Sequence, residues 1–321
     1  MLSRVADSMY WMSRYLERAE HTARVLDINL HTSIDQSDRS LADRRLPESM
    51  RTPGDNGTDP STQEVSATSY QIVFDTKDPA SIVSSIFSVR GNAREVREQI
   101  SVEVWEEINR LYLSVISKDA GERWELEAHS FLTGVVQSAR LIRGLTDATM
   151  SHSEGWQFIQ LGQFIERVMN TVDLLSESFV NDSHGSRAAI PVEDYLKWVS
   201  LLKSCAVFGA YCRVYTVDVR AETVAEFLLL DPESPHSVRF GATLIGRALD
   251  AIATSTGLSK RSELHRISGK LISSLSFDRI DDIFRDNLHA YLSEIREQCS
   301  AIHTEVYNAF ISYSADTAVR S

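Results

Sequence analysis

The chain has 321 residues, 43% of them hydrophobic, with 33 Lys and Arg against 45 Asp and Glu and a formal charge of -12. That length can bury a full core without external staples, and the acidic balance opposes non-specific attachment to nucleic acid or to anionic membrane surfaces. Three cysteines, Cys205, Cys212 and Cys299, cannot all pair within one chain, which fits a reducing compartment.

The first twenty residues carry acids at Asp7, Glu17 and Glu20, so they lack the apolar core of a signal peptide. No stretch approaches the ~20 apolar residues of a membrane span, and a cytoplasmic protein is expected. From 5 to 30 the apolar positions Val5, Met9, Met12, Leu16, Ala19, Ala23, Leu26 and Leu30 advance by three or four, which predicts one long helix. Residues 36–64 collect Pro47, Pro53, Pro60, Gly54 and Gly57 and read as an exposed loop.

Asp78-Pro79 opens a second long helix whose apolar stripe runs from Ile82 through Val96, Ile100 and Val104 to Ile108, ending before Gly121. Further helices are predicted over 122–149, 155–179, 192–217, 221–230, 238–255, 260–275 and 280–313. The β-branched run 214–219 is too short to found a sheet, so it is read as continued helix. The expected fold is all-α.

One pattern occurs twice at a separation of 149 residues: Tyr15-Leu16-Glu17-Arg18 and Phe164-Ile165-Glu166-Arg167, with Ser88-Val89-Arg90 and Ser237-Val238-Arg239 at the same offset. Two matches at one offset predict an internal duplication. The chain is then a multi-helix bundle of two pseudo-symmetric halves, 1–149 and 150–321, packed as one compact unit.

A glutamate and an arginine between apolar neighbours need partners to offset desolvation. One reading pairs Glu17 with Arg90 and Glu166 with Arg239 on a neighbouring helix. Another sets the two copies face to face, so that Glu17, Arg18, His21, Glu166, Arg167 and Asn170 line a polar cleft. Metal binding has less support, because the Glu-x-x-His spacing of di-iron bundles is absent.

Arg90, Arg94 and Arg97 share one helical face and, with Arg239, are candidates for holding a carboxylate or phosphate. No nucleotide-binding glycine loop, zinc-protease motif or nucleophile elbow is present. No catalytic residue, metal ligand set or cofactor is therefore assigned. The nine histidines are dispersed, and the five tryptophans read as core or interface residues rather than as a nucleic-acid platform.

The opening LSRVADSMYWMSRYLERAEHTARVLD, SVRGNAREVREQIS with WEEIN after it, GQFIERVMNT and SVRF together resemble the alpha-E domain family, a bacterial all-helical family with Glu-Arg motifs. The resemblance spans nearly the whole chain. It implies a protein encoded beside, or fused to, a circularly permuted ATP-grasp-type amide ligase, often near a transglutaminase-like protease homologue. On that basis the chain is expected to be a non-catalytic accessory or scaffold that binds the ligase or its peptide substrate. The alternative is an enzyme of the same system using a Glu-Arg cleft for acid/base chemistry. The sequence departs from the family pattern at His21, where asparagine is common, and at 234–237, where Ser-Pro-His-Ser replaces a Pro-Arg-Ser run.

Overall fold

The structure, a computed structural model, describes residues 3–35, 62–180, 192–216, 218–257 and 262–311. The described residues form helices and connecting turns, with no strand among them. The helices are α1 (Ser3–Asp35), α2 (Thr62–Phe74), α3 (Ile82–Glu95), α4 (Val102–Ile116), α5 (Ala120–Thr149), α6 (Glu154–Phe179), α7 (Val192–Ser204), α8 (Phe208–Tyr215), α9 (Ala221–Leu230), α10 (Val238–Thr256), α11 (Glu263–Phe277), α12 (Ile280–Asp286) and α13 (Leu288–Val306), followed by a π-helical turn (Tyr307–Ile311). No helix is long and apolar enough to cross a membrane among the described residues.

The core is organised around α1 and α6, which are buried on nearly every face over their middle turns. Helix α1 packs on α3, α5, α6 and α7, while α6 packs on α1, α7, α10 and α13. Their mutual contacts climb both helices together, from Tyr10 and Ser13 against Gly162 to Glu17 against Arg167. A Cβ at Gly162 would sit 2.3 Å from the Tyr10 carbonyl oxygen, so glycine permits the close approach of the two backbones.

Three predicted helices are each two helices. The apolar stripe from Ile82 to Ile108 crosses a break at 96–101: Val96 leaves helical geometry, and Ser101 caps α4 by accepting from the Val104 amide at 3.3 Å. Val96, Ile100 and Val104 stay buried across the turn, so the stripe keeps its phase while the backbone changes course. The segment 192–217 breaks at Ala206, which has φ 57°. There the Val207 amide bonds the Leu202 carbonyl and the Ala206 amide the Lys203 carbonyl, a Schellman closure built without the usual glycine. Thr216 has φ 60°, and residues 218–220 are not helical, with Arg220 extended. The segment 280–313 breaks at Asn287, whose side chain caps α13 by accepting from the Ala290 amide.

Helix α2 starts inside the segment read as loop, at Thr62, and the remainder of that loop lies outside the described residues. Helices α2 and α9 lead into matching turns. In Asp75-Thr76-Lys77-Asp78-Pro79-Ala80-Ser81, Asp75 accepts from the Lys77 amide and Ser81 caps α3. In Asp231-Pro232-Glu233-Ser234-Pro235-His236-Ser237, Asp231 accepts from the Glu233 amide and Ser237 caps α10.

Candidate functional site

The two Glu-Arg motifs meet at the α1–α6 contact and exchange partners. Glu17 accepts from Arg167 at 2.8 and 2.9 Å and from Arg143 of α5 at 2.9 Å. Glu166 accepts from Arg14 and Arg18, both at 2.7 Å. Each motif glutamate therefore binds the motif arginine of the other copy, and a second arginine completes the charge-assisted set. Arg90 and Arg239 are not the partners. Residues 17 and 90 are joined by no hydrogen bond, because the facing α6 helix brings Arg167 closer than α3 can.

One turn further along α1, Glu20 accepts from Arg24 at 2.8 Å and from Arg140 at 3.2 Å, and its other oxygen pairs with Arg143. Arg24 in turn donates to the Ser204 carbonyl at the end of α7, satisfying a terminal helix acceptor. Burial alone would raise the Glu17 carboxyl, but Arg167 and Arg143 reverse this and hold it well below the usual carboxylate range. His21 beside it is pushed down to about 3, first by burial and then by Arg24, so it is neutral near pH 7.

On one side of this layer a cleft of about 210 Å³ opens between α1, α6 and the start of α3. Its walls include Arg14, Arg18, His21 and Thr22 of α1, Glu166, Asn170, Asp173 and Glu177 of α6, the turn residues Asp78, Ala80 and Ser81, and Arg296 of α13. Arg18 uses its Nε on Glu166, and among the described residues its two terminal nitrogens carry no hydrogen bond. The Asn170 Nδ2 is buried and unpartnered among the described residues. Asp173, paired with Arg296, is raised by burial before that arginine lowers it.

The other side of the layer is closed. Arg167 donates to the Pro235 carbonyl at 3.2 Å and Thr171 to the His236 carbonyl at 3.3 Å. The His236 imidazole is held well below its ordinary value by burial, then by Arg167 and Arg24. In the turn before α3, Ala80 lines the cleft; in the similarly spaced turn before α10 the corresponding position is His236.

Of the residues singled out in the sequence, Arg18, His21, Glu166 and Asn170 line the cleft. Glu17 and Arg167 lie behind it in the buried layer. The arginine ridge faces elsewhere: Arg90 donates to Asn109 at 2.7 Å and lies over Tyr112, Arg97 lies over Trp105, and Arg94 is exposed with Glu95 at 3.9 Å. Arg239 donates to the Leu230 carbonyl. Those four residues are brought neither to the motif glutamates nor to the cleft. Arg143 and Arg296 were missed, since nothing in their spacing distinguishes them from solvated helix arginines. Cys205 and Cys299 are buried thiols, both pushed up to about 12 by burial, and behave as small apolar residues.

Comparison with known proteins places this geometry in a family. The chain is 24% identical over 312 residues to the uncharacterized protein Mb2597 of Mycobacterium bovis, covering 91% of this chain and 34% of that one. It is 23% identical over 312 residues to the uncharacterized protein Rv2567 of Mycobacterium tuberculosis, with the same coverage. The chain thus spans about a third of the length of these relatives. No solved structure matches it. The model of the Alpha-E family, described as a predicted alpha-helical domain with a conserved ER motif, matches residues 1–311: the chain belongs to the Alpha-E family.

Proposed function

We propose that this chain is a non-catalytic helical accessory domain of a peptide-making or peptide-modifying system, working with a circularly permuted ATP-grasp-type amide ligase and holding the end of its peptide substrate in the cleft. The observation that carries this reading is the state of the motif glutamates. Each is bound by two arginines, and Glu17, held well below the usual carboxylate range, is a poor proton acceptor. The motif supports the walls of the cleft rather than performing acid/base chemistry in it.

The cleft suits a short peptide with both ends free. The Arg18 fork, the Asn170 amide and the start of α3 offer donors to a carboxylate, while Asp78 and Glu177 offer negative charge to an ammonium group. The relatives, about three times as long, leave room for another domain on the same polypeptide. Calorimetric titration with dipeptides and their C-terminal amides tests the cleft. The free acids should bind at least tenfold more tightly than the amides, and Asn170→Leu should remove the difference. Equal binding of acid and amide, or no saturable binding of either, overturns the peptide-end reading. Adding the chain to its ATP-grasp-type ligase should change the rate of ATP turnover; no complex and no change in rate overturns the partnership.

We further infer that the molecule is two related halves, 1–149 and 150–321, acting as one unit. Reciprocal contacts are what a twofold relation between equivalent segments produces, and Ser13 and Gly162, equivalent at the motif offset of 149, touch each other. Packing also repeats: α1 with α3 and α5 is matched by α6 with α10 and α13, and α3 with α4 by α10 with α11. The matching turns put Asp75, Pro79 and Ser81 opposite Asp231, Pro235 and Ser237, an offset of 156. On that register Arg90 corresponds to Gly246, not to Arg239, and the second Ser-Val-Arg match is displaced by two helical turns.

A further inference from the structure

We propose that Asp27, His31 and His129 form a binding site for one divalent transition-metal cation of the zinc class, at the far end of α1 from the first turns of the chain. One ligand atom from each residue lies within 4.8 Å of the others. Asp27 and His31 lie four apart on α1, which sets them on one face a turn apart. His129 comes from α5, which packs on α1. Two residues before it, at Glu127, α5 departs from helical geometry with φ -147° and ψ 69°.

The hydrogen bonds already present prepare the site. His31 Nδ1 lies 2.8 Å from the Asp27 carbonyl oxygen and 3.5 Å from Asp27 Oδ1; the carbonyl can only accept, so Nδ1 carries a proton and a neutral ring would offer Nε2 as its ligand nitrogen. That is the usual state of a metal-ligating histidine, whose second nitrogen donates to a backbone carbonyl. His129 Nδ1 lies 2.7 Å from Asp27 Oδ1, and the two imidazoles stand edge to face with centroids 4.5 Å apart.

A single exposed His–Asp bond contributes little to stability and requires no second imidazole. The convergence of both rings on one carboxylate is what a cation would use. Two nitrogens and one carboxylate oxygen suit Zn²⁺ or Co²⁺ and leave a fourth position for water, whereas Mg²⁺ and Ca²⁺ prefer an all-oxygen shell. The site is independent of the cleft, since none of its three residues lines that space.

Titration of metal-free protein with Zn²⁺ by calorimetry, and with Co²⁺ by visible absorption, tests the assignment. One equivalent should bind, with cobalt bands of low coordination number. His129→Gln and Asp27→Asn should each weaken binding at least tenfold. His152→Gln, whose imidazole lies beside Asp147 instead, should leave it unchanged. Circular dichroism of each variant reports that the fold is retained. Absence of a saturable equivalent in the wild type, or wild-type affinity in both His129→Gln and Asp27→Asn, overturns the proposal; so does equal weakening by His152→Gln.

Discussion

His21 shows what burial beside charge does to a single residue. Its folded value of about 3 lies below the ordinary value of 6.5, so above pH ~6.5 its contribution to stability is complete. As pH falls from there toward 3 the unfolded chain takes up a proton that the folded chain refuses, and that contribution is lost. Each such histidine adds a slope of ~1.4 kcal/mol per pH unit within the window, and His236, shifted in the same direction, adds a second. Urea unfolding of wild type and His21→Asn between pH 6 and pH 4.5 should give slopes that differ by about one proton. Parallel curves would mean that His21 is protonated in the folded state. Asparagine is the informative replacement because it retains a polar group of similar reach and cannot titrate.

Among the elements, the α1–α6 contact is the most demanding. Placing a methyl group at Gly162 brings it against the Tyr10 carbonyl and the Ser13 hydroxyl oxygen, which lie 2.3 and 2.4 Å from the added carbon. One of these is backbone and cannot rotate away. Gly162→Ala should cost about 1–3 kcal/mol in denaturant unfolding and should lengthen the Glu17–Arg167 and Glu166–Arg18 contacts together. An unchanged midpoint would show that the two helices can slide apart at no cost.

The legibility of the elements follows from the same physics. Helices α1, α6, α9 and α10 stand close to where apolar spacing put them, because each has one continuous stripe, and α5 does so apart from its break at Glu127. The breaks at 96–101, Ala206 and Asn287 escaped because apolar residues kept their phase across the turn, or because the left-handed residue was alanine. The Glu-Arg motif itself was visible as a repeat. Its partners were not, since helix period tells which face a residue occupies but not which helix covers that face.

At the scale of the whole molecule, the buried charges tie the two halves together. Glu17 belongs to one half and Arg167 to the other, and Glu166 and Arg18 repeat the exchange. Either half alone would expose an apolar helix face studded with unpaired charge, a combination that costs several kcal/mol per ion to bury. Segments 1–149 and 150–321 expressed separately should therefore be poorly folded, and co-expressed they should recover the helical signal and cooperative melting of the intact chain. Two independently folded halves that do not associate would remove the inference that the chain is one unit.

The unequal turns at Ala80 and His236 take on a different meaning once the halves are regarded as former equals. A symmetric pair of identical subunits must keep both of its faces alike, because any substitution appears twice. Joining the copies into one polypeptide releases that constraint. One face can then be sealed, as the Pro235 and His236 carbonyls tie it to α6, while the face beside Ala80 stays open. If the halves are related as proposed, their fusion turns a two-site assembly into a one-site molecule with a sense of direction.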